Sequence, residues 1–343
     1  MTALLIFALD PSAITNVETG GVGTGFAEMG NKGACGARFT YTVGSASTEL
    51  TFVAAHLAAM EWELARRNED WKSIVRQLVF TSSAHSLGTA THLSAAEGEE
   101  RPLLSVDARD AGIYKPTSHL FVAGDLNYRT SSLPPLPTDH LDVFPQPNHD
   151  ASSPKHISSL YERDQLNIER VAGRTMHGLI EAPVTFPPTY KYNSKEPFLT
   201  RDEELVQWHW ASHRWPSWCD RILYLPFPGW VKGTKEEIRT GKYTALPLFP
   251  TSDHRAVALE VAVPLISIPK PDEDEADGDK DPRIHPPFDI DINWKSRRQR
   301  ARVFELVAGF TTYFTTTAEG GGVVVAMLAG AVGAYFAIRA LLL

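Results

Sequence analysis

Cysteine is scarce in this 343-residue chain: Cys35 and Cys219 are its two, too few for a disulfide framework and without zinc-ligand spacing, which points to a reducing, cytosol-facing setting. No Cys-x5-Arg loop follows Cys219, so thiol-based phosphate chemistry lacks its cradle. A surplus of basic charge is missing too. Lysine and arginine number 33 against 41 acids, a net charge of −8, and nucleic acid is not an expected partner. Much of that charge is local: Pro271–Asp281 holds seven acids and one lysine, which leaves the rest nearly neutral. The chain has no internal repeat. Met1–Leu9 is apolar but short, has no basic start and runs into Asp10-Pro11, so it does not read as a secretory signal.

What is present is a globular body with 43% apolar residues, ample for a sizeable core. Apolar runs predict strands at Leu4–Leu9, Ala34–Val43, Leu50–Ala55, Leu120–Ala123, Arg221–Leu225 and Val257–Val263. A helical stripe through Trp62, Leu64, Trp71, Ile74, Val75, Leu78 and Val79 predicts a helix over Glu61–Phe80. Residues 82–118 and 130–156, rich in Ser, Pro, Gly and His, read as loops. The mixture indicates an α/β or α+β fold.

Past the body, residues 264–295 form an acidic, proline-rich linker expected to be solvated and extended. Basic residues Lys295, Arg297, Arg298, Arg300 and Arg302 introduce a juxtamembrane segment over 296–319. Residues 320–343 then carry one charge, Arg339. As a helix they would span roughly 36 Å, enough for a hydrocarbon core of about 30 Å. A buried terminal helix is the alternative, but the polar linker, the absent helix-face periodicity and the flanking cations favour a tail anchor with the body in the cytosol. The endoplasmic reticulum is one plausible membrane.

The chemistry-bearing residues lie on separated stretches. Asp125 and Asn127 in Gly124-Asp125-Leu126-Asn127-Tyr128-Arg129 fall two apart, so on an extended segment they would face one side and hold a water between them; a simple Asx turn closing the preceding strand fits the same residues. Ser252-Asp253-His254-Arg255 offers an imidazole for phosphate oxygens beside a carboxylate. His56 ends a strand and fits either a structural or a phosphate-binding role. Gly30-Asn31-Lys32-Gly33 is a tight turn or a phosphate contact. Trp218-Cys219-Asp220-Arg221 is consistent with a core aromatic beside a strand-end ion pair or with part of a site.

In this order, the motifs Gly30–Gly33, His56-Leu57-Ala58-Ala59, Arg67-Asn68, Gly124–Arg129, Phe186–Tyr192, Pro216–Leu223 and Ser252–Arg255 resemble those of the inositol polyphosphate 5-phosphatases over about residues 4–263. The resemblance implies an endonuclease/exonuclease/phosphatase-like fold, a two-sheet β-sandwich of mixed sheets flanked by helices. It also implies Mg2+-dependent removal of the 5-phosphate from phosphoinositides such as phosphatidylinositol 4,5-bisphosphate. Asp125 would deprotonate the water with Asn127 beside it, His56 and His254 would bind the scissile phosphate, and Asp253 would support His254. Asn31, Lys32, Arg129, Tyr190, Lys191 and Arg221 would contact substrate, with Asp220 in a supporting role.

The match also has departures. Family members carry earlier strands with an Asn and a Phe-Gln-Glu whose glutamate binds the metal. No Phe-Gln-Glu occurs here, and neither Glu18 nor Glu28 stands at its position, so the metal ligand is unassigned and the expected catalytic domain (residues 1–263) is incomplete at its N-terminus, with an open sheet edge. The family's Lys-x-Arg is replaced by Ser212-His213-Arg214-Trp215-Pro216-Ser217, after an insertion at 195–210. Two other readings follow: a membrane-tethered pseudoenzyme that binds phosphoinositides without turnover, and a same-fold nuclease or sphingomyelinase-type phosphodiesterase.

Overall fold

A computed structural model describes residues 2–82, 110–193, 206–231, 236–271 and 280–342. The acidic run at 272–279, much of the 82–118 loop and the first part of the 195–210 insertion lie outside the described residues.

The centre is a six-stranded sheet of β1 (Ile14–Gly23), β2 (Gly33–Val43), β3 (Ala46–His56), β4 (Thr81–Ser82), β5 (Ser118–Asp125) and β6 (Asp220–Tyr224), in the order β4-β1-β2-β3-β5-β6. β3 and β5 run parallel, and the other neighbours pair antiparallel. This is the expected α/β architecture. Within the described residues the second sheet is small, an antiparallel pair of β7 (Arg239–Ala245) and β8 (Val257–Ala262).

Local chemistry explains the elements. β5 lies between β3 and β6, and its apolar run is buried from Ser118 to Val122, as expected of a strand covered on both faces. Helix α1 (Leu64–Gln77) turns Trp71, Ile74 and Val75 onto the sheet, where they join Val53, Ala55, Leu57 and Val122 in the main core. The small sheet packs through Tyr243 against Trp218, Phe186 and Leu160.

The structure changes the sequence reading at three places. Leu4–Leu9 forms no strand; Leu5, Phe7 and Leu9 are exposed instead. The strand Ile14–Gly23 was not foreseen. The linker is not wholly solvated, because Ile268 and Ile284 bury against Trp230 and the buried Arg283 guanidinium lies 5.1 Å from the Trp230 ring centre. Two short helices, Ile157–Tyr161 (α2) and Gln165–Val171 (α3), follow β5, and two long ones end the described chain, Trp294–Thr316 (α4) and Ala318–Leu341 (α5). α5 is long and apolar enough to cross a membrane and buries none of that apolar stretch within the protein.

One core residue carries a pH signature. His119 on β5 is fully buried, both ring nitrogens lack a hydrogen-bond partner, and the ring tilts on Phe227 at 5.9 Å. Burial, with the charge of Arg283 nearby, pushes its pKa down to about 4 from 6.5. Because the folded value is the lower one, His119 contributes full stability above pH 6.5; that contribution falls as pH drops from 6.5 towards 4 and is constant below. The expected loss is about 3 kcal/mol. Urea titrations in mild detergent at several pH values test this, with His119→Phe expected to flatten the slope; an unchanged slope in the variant refutes it.

Candidate active site

The site is built by strand register. Gly33 of β2 stands opposite His56 of β3, His56 opposite Asp125 of β5, and Asp125 opposite Asp220 of β6. β3 and β5 run parallel and end together, so the row of side chains emerges at one end of the sheet. Gly124 makes this possible. Its φ is +139°, and a Cβ there would lie 2.0 Å from the Ala55 carbonyl oxygen, so no other residue fits the close approach of β5 to β3.

After Asp125 the chain turns. Asn127 takes a left-handed φ of 57°, and its backbone N–H donates to Asp125 Oδ1 at 3.1 Å, so the Asx turn is real. Asp125 Oδ2 faces His56 Nε2 at 3.3 Å, and Lys32 Nζ contacts the same imidazole nitrogen. Asn127 corrects the picture of two groups sharing a water. Its amide is buried, donating to the Leu57 carbonyl at 3.2 Å and accepting from Arg129, so it fixes the turn that aims Asp125.

His254 enters from another segment. Tyr190 bridges to both Ser217 and His254 in antiparallel fashion, and its ring lies 4.6 Å from the imidazole. The partner of His254 is not Asp253. Nδ1 of His254 meets Asp220 Oδ2 at 2.8 Å, whereas Asp253 pairs with Lys191 Nζ at 2.6 Å.

Two assigned substrate contacts are also corrected. Arg221 is 0% exposed and sits between Asp164, at 3.0 Å, and Glu181, so its charge is spent inside the protein. Arg129 is 1% exposed; it stacks 4.4 Å under the Tyr190 ring and holds Asn127. Asn31 is exposed in the loop that carries Lys32. Lys191, half-buried, remains at the rim on its carboxylate.

The electrostatics divide the two acids. Burial opposes ionisation of Asp125, yet the hydrogen bond from His56 and the charges of His254, His56 and Lys32 hold it below the usual carboxylate range. Burial and the facing charge of Asp125 push Asp220 up, against the bond from His254. Burial lowers His254, but the hydrogen bond and charge of Asp220, with Asp125 and Asp253, outweigh it and raise the imidazole overall. Burial lowers the Lys32 ammonium. The arrangement thus holds an ionised carboxylate beside an imidazole that favours its proton, a pairing suited to acid–base work on a phosphate ester.

Ligand atoms of Asp125, Asp220 and His254 lie within 4.8 Å of one another. Two hard carboxylates at that spacing suit a hard divalent cation, which takes oxygen ligands and keeps waters and phosphate oxygens for its other positions.

One further residue escaped the sequence reading. Glu61 is fully buried, neither carboxylate oxygen accepts a hydrogen bond, and Arg214 Nε approaches one at 3.6 Å. It ties Arg214 to the turn after β3. Its spacing from His56 was the available signal, and the predicted helix absorbed it.

A sequence family described as Endonuclease/Exonuclease/phosphatase family 2 matches residues 1–260. Phosphatidylinositol 3,4,5-trisphosphate 5-phosphatase 2 of Homo sapiens is 31% identical over 261 residues, covering 74% of this chain and 17% of that protein. Type II inositol 1,4,5-trisphosphate 5-phosphatase of Mus musculus is 30% identical over 246 residues, covering 71% of this chain and 19% of that protein. A crystal structure of the inositol polyphosphate 5-phosphatase domain of SPsynaptojanin, in complex with inositol (1,4)-bisphosphate and calcium ion, is similar at 26% identity and a TM-score of 0.47, covering 86% of this chain and 64% of that one. The chain spans 17% and 19% of the length of the two curated relatives.

Proposed function

The chain belongs to endonuclease/exonuclease/phosphatase family 2, and on that premise we propose that it is a phosphomonoesterase that removes the 5-phosphate of phosphoinositides such as phosphatidylinositol 4,5-bisphosphate at a membrane surface. The names of both curated relatives specify a 5-phosphatase, which supports the position of attack. The observation that carries the proposal is the row His56–Asp125–Asp220 closed by His254, which gathers onto one sheet end the groups that hydrolysis of a phosphate ester requires.

In this mechanism Asp125 accepts a proton from a water as its oxygen bonds to phosphorus, the bond from phosphorus to the inositol oxygen breaks, that oxygen takes the proton carried by His254, and the proton on Asp125 restores the imidazolium. His56 and His254 hold the phosphate oxygens, Lys32 adds a positive charge beside His56, and Asp220 fixes the tautomer and charge of His254. Asn127 and Arg129 position the Asp125 turn. Tyr190 and Lys191 form the wall nearest a neighbouring phosphate on the ring. Mg2+ would be held by Asp125 and Asp220, and when bound it draws charge from the phosphate oxygens. The products are inorganic phosphate and a lipid with a free 5-hydroxyl. The helix Ala318–Leu341 is the membrane anchor in this reading, with the catalytic residues on the cytosolic side.

Phosphate release from short-chain phosphatidylinositol 4,5-bisphosphate tests the proposal. Release in Mg2+ that falls to background with a chelator is the expected result. Lipid binding without release means a pseudoenzyme, and release of product from sphingomyelin or DNA instead means a phosphodiesterase; either sinks it.

A further inference from the structure

Helix α4 has two opposite faces. One docks on the catalytic body. Trp294 and Ala301 are buried, Arg297 Nε donates to Glu28 Oε1 at 2.8 Å, and Glu305 Oε1 accepts from the Gly30 backbone N–H at 2.8 Å. These four residues recur at helical spacing. The other face, about half a turn away, carries Val303, Leu306, Val307, Phe310 and Tyr313, all exposed, with Phe314 stacked on Phe310 at 6.1 Å. Lys295, Arg300 and Arg302, also exposed, precede this stripe.

We propose that the distal half of α4 lies flat in the headgroup region of an anionic bilayer, its apolar stripe down and the catalytic body on its back. The inference rests on the reading of α5 as membrane-spanning and extends it. What identifies lipid as the occupant is continuity: Thr317 alone separates the two helices, so an inserted α5 brings the stripe to the bilayer surface. Residues 303–316 would reach roughly 21 Å as a helix, short of a hydrocarbon core of about 30 Å. Glu305, held on the Gly30 loop, also keeps this segment from sinking deeper. A helix with cations at one end and aromatics along one side fits the lipid interface. The same helix clasps the loop whose Lys32 touches His56, so membrane contact and the candidate site share one support.

The test uses the full chain in phosphatidylcholine–phosphatidylserine vesicles, with an environment-sensitive fluorophore on Phe310→Cys, Thr312→Cys or Leu328→Cys and the unsubstituted chain labelled as the blank for Cys35 and Cys219. Position 310 should be quenched by lipid nitroxides near the headgroup and be about threefold less open to aqueous iodide than position 312, on the opposite side. Position 328 should be quenched by nitroxides deep in the bilayer. Equal iodide access at 310 and 312, as for a stripe facing water or a soluble partner, overturns the proposal, and so does equal deep quenching of both. Iodide access at 328 overturns the spanning helix itself and this proposal with it, which separates the two failures.

Discussion

Replacing Asp125 with asparagine is expected to lower kcat for phosphate release by about 10³-fold, within the range of a lost general base. The substitution is nearly isosteric, and an asparagine oxygen can still accept from the Asn127 N–H that closes the turn at 3.1 Å, so the local fold should persist. What disappears is the proton acceptor, one carboxylate of the candidate cation site, and the negative charge that faces His56 and supports the proton on His254. Vesicle binding and thermal unfolding should match the parent. A variant within tenfold of parental kcat would remove Asp125 from the base role, and a variant that unfolds early would show the carboxylate to be structural.

The sequence exposes those parts of this site that depend on neighbours along the chain. The run Leu120–Ala123 ends in Gly124-Asp125, and a buried strand opening into a turn is legible in the apolar pattern and the glycine. His56 at the end of a strand is legible for the same reason. The pairing of acids with bases was not, because it is decided by register. Asp253 adjoins His254 and invites assignment as its partner, yet the bridges from Tyr190 to Ser217 and His254 turn the imidazole towards β6, where Asp220 waits. Strand β1 was hidden for a different reason: Ile14–Gly23 carries three glycines and scattered polar residues, and it forms through pairing with β2 and β4 without an apolar run of its own. Ile268 and Ile284 sit among prolines and acids with no period, and only the fold brings them to Trp230.

Arg221 gives the sharpest contrast between the two kinds of information, and its removal should be the most damaging to stability. Arg221→Met is expected to destabilise the chain by about 3–5 kcal/mol, the cost of leaving buried charge without its partner. Asp164 and Glu181 lie 57 and 40 residues earlier in the chain, too far for spacing to link them to Arg221, and each is at least 97% buried as a side chain. Asp164 also caps the helix Gln165–Val171, accepting from the Asn167 N–H at 3.0 Å, so the loss reaches a second element. The pH dependence follows from Asp164. Burial already raises Asp164 against the opposing charge of Arg221. Without the guanidinium the folded-state value of Asp164 rises further above the unfolded one, so the deficit relative to the parent should grow as pH rises above about 4 and shrink as pH falls towards it. Urea unfolding of parent and variant at pH 7 and pH 5 measures this difference directly, and the His119 effect, common to both, cancels. If Arg221 instead met substrate, the variant would keep parental stability and show a raised KM. That result would return the residue to the binding surface and require a rearranged β6.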